Sequence, residues 1–259
     1  MAEWDARTYE RVSGPQVAWG RAVIDRIPLE GDETALDAGC GTGRVTRLLA
    51  ARLPRGRVIG VDGSAAMVRE AGERLADLAP RVTVRRGDLL ELEVEEPVDL
   101  VVSTATFHWI LDHVRLFRRL HAALRPGGRL VAQCGGQGNI AATLAAAAGA
   151  AAAEPYAASL DGFGGRWLFA GAEETVARLG DAGFEGARAW LEEAPAVFAD
   201  VDAGAEFLAT VVLRHHLERL PASLRAPFAR AVAARRRGPD GRVVVDYVRL
   251  NMEARRPAP

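Results

Sequence analysis

Between residues 34 and 135, short apolar runs alternate with longer stretches whose apolar positions recur every three or four residues. The runs, near 34–38, 57–61, 82–85, 98–103 and 128–134, read as buried strands. The stretches between them, 43–53, 64–78 and 112–124, read as amphipathic helices. In the first, Val45, Leu48, Leu49 and Leu53 share a face opposite Arg44, Arg47 and Arg52. A helix from Pro15 to Ile27, with Ser13 as N-cap, precedes them, and Arg125-Pro-Gly-Gly128 reads as a turn ending the last. Strands alternating with helices through short loops predict an α/β fold with a Rossmann-like, doubly wound, mostly parallel sheet covered on both faces. Such a sheet binds ligands beyond the carboxyl ends of its strands, at the switch point.

After residue 135 the pattern changes. Residues 138–153 are alanine-rich and helical, and 154–166 are loop-like, with Pro155, Gly162, Gly164 and Gly165. A helix at 172–182 leads through Gly183-Phe184 into a strand. Two amphipathic helices, 201–219 and 222–236, meet at Pro221, and 242–252 contains the last strand. The expected organisation is a single domain over 1–259. Its core covers about 30–135, 172–195 and 242–254, and its cap 1–28, 138–171 and 200–238.

Composition removes several functions. A net charge of −1 gives no general pull towards nucleic acid or an anionic membrane, so neither is expected as a partner. The 33 basic residues are all arginine, which rules out Schiff-base lysine chemistry and a P-loop lysine. Cys40 and Cys134 have no metal-ligand spacing, and no metal is expected. The N-terminal stretch carries Glu3, Asp5 and Glu10 where a leader would be basic and then apolar, and the alanine-rich stretch at 140–153 is too short to span a bilayer. A cytoplasmic protein of open oligomeric state is the expectation.

The chemistry starts at Leu36-Asp-Ala-Gly-Cys-Gly-Thr-Gly-Arg44, a strand end, a tight turn and a helix start. Glycines 39, 41 and 43 give G-x-G-x-G, not the dinucleotide G-x-G-x-x-G, whose third glycine would fall on Arg44. Asp37 beside the turn also repels a bare pyrophosphate. A second acid, Asp62, ends the next strand 23 residues after Gly39 (62 − 39), the place where a carboxylate holds a ribose diol. Ser64 is the better N-cap of the following helix, which leaves Asp62 for the ribose. The ligand therefore carries a ribose and no pyrophosphate. Asp37, Asp62, Asp88 and Ser103 all fall at strand ends and are grouped on that ground.

Leu36–Gly43, Gly60-Val-Asp-Gly-Ser64 with Met67, Gly87-Asp-Leu89 and Asp99-Leu-Val-Val-Ser103, in that order, resemble class I S-adenosylmethionine-dependent methyltransferases over about residues 30–135. The resemblance implies a seven-stranded sheet closed by a C-terminal antiparallel hairpin, a helical cap, and S-adenosyl-L-methionine as cofactor. It implies cofactor contacts from Asp37, Gly39, Gly41, Asp62, Gly63 and Met67. Asp88 would meet the adenine amino group, Leu89 the ring, and the backbone at Ser103 the transferred methyl.

Ala105-Thr-Phe-His-Trp-Ile-Leu-Asp-His113 and the opening Trp4-Asp5…Tyr9…Ser13 are similar to small-molecule carboxylate methyltransferases of the trans-aconitate type. That likeness implies Trp109 and Gln16 as donors to a substrate carboxylate, with Tyr9 nearby. The cap, rich in Ala, Leu, Val and Phe, departs from a tricarboxylate site, which needs several arginines; Arg166, Arg214 and Arg219 are the ones available. A carboxylate is already ionised at neutral pH and needs no base, whereas a carbon or phenol acceptor would need one, for which His108 is the candidate. The readings carried forward are carboxylate methylation, carbon or phenol methylation through His108, a cofactor-binding module without transfer activity, and, weakest, a dehydrogenase.

Overall fold

The computed structural model describes residues 14–160, 162–163 and 166–259. Trp4, Asp5, Tyr9 and Ser13 lie outside the described residues. In chain order the elements leading to the site are α1 (Gly14–Asp25), β1 (Thr34–Ala38), α2 (Arg44–Arg52), β2 (Arg57–Asp62), α3 (Ala65–Arg74), β3 (Val82–Arg86), β4 (Val98–Thr104), α4 (His113–Ala123) and β5 (Leu124–Gly135). The second half adds α5 (Ala141–Ala151), α6 (Ala157–Leu160), α7 (Ala172–Asp181), β6 (Glu185–Glu193), β7 (Ala196–Phe198), α8 (Val201–Phe207), α9 (Arg214–Arg219), α10 (Ala222–Arg235), β8 (Val243–Val245) and β9 (Val248–Arg255).

Seven strands form one sheet in the order β3-β2-β1-β4-β5-β9-β6. β1 pairs in parallel with both β2 and β4, so the strand order reverses between β1 and β4 and the chain leaves a crevice there. β9 runs antiparallel between β5 and β6, giving the expected C-terminal antiparallel pair. Apolar residues on neighbouring strand positions feed opposite faces. Ala35, Val58, Leu100 and Val102 pack with Val23, Ile24 and Leu49, while Leu36, Val101, Leu130 and Ala132 pack with Leu116, Phe117, Leu120 and Leu179. Burial on both faces is why these strands read as continuous apolar runs. α1, expected in the cap, puts Val23 and Ile24 into this sheet core.

Residues 194–247, between β6 and β9, have an apolar cluster of their own with 140–160. It includes Phe207, Leu213, Phe228, Val232, Val243 and Tyr247. Three local readings change in the structure. The stretch 201–219 is α8, a π-turn segment over Leu208–Val212 and then α9, with Leu213 N–H bonded to the Leu208 carbonyl five residues back. The expected strand at 242–252 breaks into β8 and β9, because Asp246 leaves the ladder to cap α5. Its carboxylate accepts from the Ala142 and Thr143 N–H groups at 2.7 and 3.0 Å. β8 pairs with β7 in a small separate sheet. Arg125–Gly128 is a bulge inside β5 rather than a terminating turn, since Leu124 pairs with Val98 and Arg129 with Leu100.

Candidate active site

At the carboxyl end of β1 the chain turns through Gly39, whose N–H, like that of Cys40, donates to the Val61 carbonyl, at 2.8 and 3.1 Å. Gly39 has φ +88, and a Cβ there would lie 2.1 Å from Thr106 Oγ1, so only glycine fits. Asp62 braces the turn from β2. One of its oxygens accepts from Gly41 N–H and the other from Ser64 N–H, both at 2.9 Å. These bonds fix the orientation of the Asp62 carboxylate at the end of β2. Ser64 caps α3 by accepting from Met67 N–H at 3.4 Å, as expected. On the next strand end Asp88 accepts from Leu90 N–H at 2.9 Å, which starts a short 3₁₀ turn and sets buried Leu89 beside it.

These groups open onto one cavity of about 750 Å³, a size suited to small-molecule ligands. Gly39, Gly41, Asp62, Gly63, Met67, Asp88 and Leu89 line it, as do Gln16, His108 and Trp109. Two expected residues do not. Asp37 is 1 % exposed beneath the turn, where Oδ2 accepts from Thr46 Oγ1 at 2.7 Å and Oδ1 is buried without a hydrogen-bond partner among the described residues. Burial, partly offset by Thr46 and reinforced by the charge of Asp62, raises its pKa to about 6. Ser103 turns its hydroxyl to the Ala38 carbonyl at 2.6 Å, tying β4 to β1. The cavity is met instead by Thr104, Ala105 and Thr106. Ala105 holds a left-handed φ of 56, a conformation costly for an L-residue and concentrated at functional loops. Ala105 and Thr106 open the stretch that the sequence marked as running just past strand four.

His108 is not arranged as a base. It is 8 % exposed, and its Nδ1 accepts the Gly135 N–H at 3.2 Å, which puts the ring proton on Nε2. Burial, then the nearby Arg249 guanidinium, then His113, hold its pKa well below the usual value, so it stays neutral and presents a donor. Gln16 is 8 % exposed and its Oε1 is buried without a hydrogen-bond partner among the described residues.

The opposite wall is largely aromatic and cationic. Trp109 and Trp167 approach to 6.1 Å between ring centroids, and Trp167 lies parallel to Phe169 (6.0 Å, 8°). Leu168 N–H donates to the His108 carbonyl at 3.0 Å, pinning this segment to the strand-end loop. Arg166, Arg214 and Arg219 all line the cavity, a point the sequence left open. The π-turn segment offsets α9 from the path of α8, and His215 and Glu218 line the cavity as well. Neighbouring His216 turns the other way into the cap core, near Phe163 and Phe228, where burial lowers its pKa to about 4.

Arg249, which sequence reading missed, is 2 % exposed and lines the cavity from the second residue of β9. Its Nε donates to Gln133 Oε1 at 3.4 Å, and its guanidinium lies 4.5 Å from the Trp19 ring centroid. Among the described residues no cluster of His, Cys, Asp and Glu is built to hold a metal, and no helix is long and apolar enough to cross a membrane.

Comparison with known proteins fits this geometry. A family model described as a methyltransferase domain matches residues 35–128. Trans-aconitate 2-methyltransferase from Azoarcus sp. (strain BH72) is 38% identical over 133 residues, 51% of this chain and 51% of that protein. The enzyme of that name from Methylobacterium radiotolerans is also 38% identical, over 51% of this chain and 50% of its own. The chain thus spans about half the length of the curated relatives it matches. Among solved structures, phosphoethanolamine N-methyltransferase 2 of Haemonchus contortus superposes with a TM-score of 0.63 at 20% identity, covering 97% of this chain and 57% of that one. The cyclase SpnF superposes at 0.62 and 20% identity, over 94% of this chain and 82% of its own, so the fold alone does not settle the chemistry. Residues 35–128 thus match a methyltransferase domain, and over 133 residues the chain resembles the trans-aconitate 2-methyltransferases.

Proposed function

We propose that the chain transfers a methyl group from S-adenosylmethionine to a carboxylate oxygen of a small molecule. The relatives' names, trans-aconitate 2-methyltransferase, support a carboxylate acceptor. The observation that carries the reading is the division of the cavity. Its strand-end side offers braced carboxylates, Asp62 and Asp88, beside the glycine turn at Gly39 and Gly41, which fits a ribose-bearing cationic donor. The side facing it offers Gln16, the Trp109 loop and a buried guanidinium, Arg249, which fit an anion.

When bound, the sulfonium supplies an electrophilic methyl. Asp62 would hold the ribose hydroxyls, Asp88 and Leu89 the adenine, and Met67 and Gly63 the wall between them. Gln16, Trp109 and the Nε2–H of His108 would hold the acceptor carboxylate without taking a proton, which a group with pKa near 4 has already lost. Alignment of two bound partners and exclusion of water then account for the rate, worth up to about 7–11 kcal/mol for well-oriented pairs. Residues 138–171 and 200–238 act as the cap that closes the site.

A phenol or carbon acceptor would need a base, and the imidazole on the cavity wall for that role is His215, whose Nδ1 lies 3.4 Å from Glu218 Oε2. Incubation with isotopically labelled S-adenosylmethionine and a panel of acids, read by mass spectrometry, tests the reading. A labelled product that releases methanol in mild alkali is a methyl ester and supports it. An alkali-stable methylated product, or none from any acid, refutes it.

A further inference from the structure

The acceptor wall sets four arginines of unequal kind beside a run of aromatic rings. Trp109, Trp167 and His215 form a continuous half-buried aromatic surface on the cavity, with Trp109 5.7 Å and Trp167 6.2 Å from the His215 ring centroid. Phe169, which also lines the cavity, lies parallel to Trp167, and a Cβ on Gly135 would lie 2.9 Å from the Phe169 ring, so Phe169 is packed against the sheet.

The cations are graded in the opposite sense. Arg249, at the inner end, is the fully buried guanidinium, aimed by Gln133 and by Trp19. Those on the cap are less deeply buried: Arg214 Nε sits on Glu218 at 3.1 Å, Arg219 is exposed 4.8 Å over the Phe163 ring, and Arg166 is exposed. Exposed and paired charges add little to affinity but steer an anion inward. One desolvated cation matches one carboxylate, and flat aromatic walls match a flat body.

Resting on the carboxylate reading above, we infer that the acceptor is a flat, conjugated monocarboxylic acid. Its carboxylate enters between Gln16, Trp109 and Arg249, and its ring system lies against Trp167. Trp167 is then the residue that selects the body of the substrate, and Arg249 its charge.

The test uses the full chain saturated with S-adenosylhomocysteine and titrated calorimetrically with cinnamate, hexanoate, trans-aconitate and cinnamyl alcohol. Cinnamate is expected to bind at least about tenfold more tightly than hexanoate, which has the same charge, and than trans-aconitate. Trp167→Ala should erase the preference for cinnamate over hexanoate while keeping S-adenosylhomocysteine affinity, and Trp167→Phe should keep most of it. Equal or tighter binding of hexanoate or trans-aconitate overturns the inference, as does an unchanged preference in Trp167→Ala. If cinnamyl alcohol binds as well as cinnamate, the carboxylate reading is what has failed, and the acid half of this inference goes with it. Binding of none of the four, with S-adenosylhomocysteine still bound, overturns both.

Discussion

At the strand ends of the cavity, Asp62 is held by two backbone N–H groups, Asp88 by one, and Gly39 by a contact that admits no side chain. On the cap side, Arg166 and Arg219 are exposed, Arg214 leans on Glu218, and the aromatic rings are half-buried. The first wall is built from backbone geometry, which tolerates one arrangement. The second is built from side chains on short helices and a π-turn segment, which different residues can reshape without disturbing the sheet. A constant donor and a variable acceptor are well served by that division. It also matches the comparisons, in which the family model covers residues 35–128 and leaves the cap unmatched.

Changes on the two walls should therefore separate, and the sharpest is at the turn. Gly39→Ala places a Cβ 2.1 Å from Thr106 Oγ1 at φ +88 and should lower kcat/KM by about 100-fold or more, with a matching loss of S-adenosylhomocysteine affinity by calorimetry. Asp37 tests the same wall through pH. Its folded pKa of about 6 lies above the 3.8 of an unperturbed aspartate, so the native state holds the proton more tightly. The stability it contributes is present below pH 4 and lost as pH rises towards 6. Asp37→Asn keeps an acceptor for Thr46 and removes that slope. Denaturant titrations should show wild type losing about 2 kcal/mol relative to the variant between pH 4 and pH 7.

Asp62→Asn should weaken S-adenosylhomocysteine by about 10–150-fold, the worth of hydrogen bonds to a charged group, with little change in acceptor KM. Arg249→Gln should do the reverse, raising acceptor KM by about tenfold or more while leaving the S-adenosylhomocysteine dissociation constant unchanged in the same calorimetric assay. The smallest effect is expected at His215→Ala, within about threefold in kcat. A loss in the range of about 10²–10⁴ would instead assign it as a general base and break the carboxylate reading.

How much of this was legible in the sequence follows the same division. The strand 34–38 is found where the apolar run places it, because a parallel strand buried on both faces cannot be patterned otherwise. The Ser64 cap and the end of β2 at Asp62 were readable for similarly local reasons. Strand alternation near a ligand was not: Asp37 and Ser103 sit at strand ends but turn to Thr46 and to the Ala38 carbonyl, and position along a strand does not say which way its last side chain points. The cap was least legible. A π-turn adds a residue within an otherwise helical pattern, so 201–219 reads as one helix. Which of Arg214, His215 and His216 meets the cavity depends on that extra residue and on packing against Phe163 and Phe228. Arg249 lay in an apolar strand pattern, where its burial depends on Trp19 and Gln133, far away in the chain.

The central claim is that the glycine turn and Asp62 together hold an adenosyl sulfonium donor. Calorimetric titration of S-adenosylhomocysteine into wild type and Asp62→Asn tests it most directly. The account predicts one-to-one binding to wild type, weakened at least about tenfold in the variant. No heat of binding in wild type, or equal affinity in the two proteins, would contradict it.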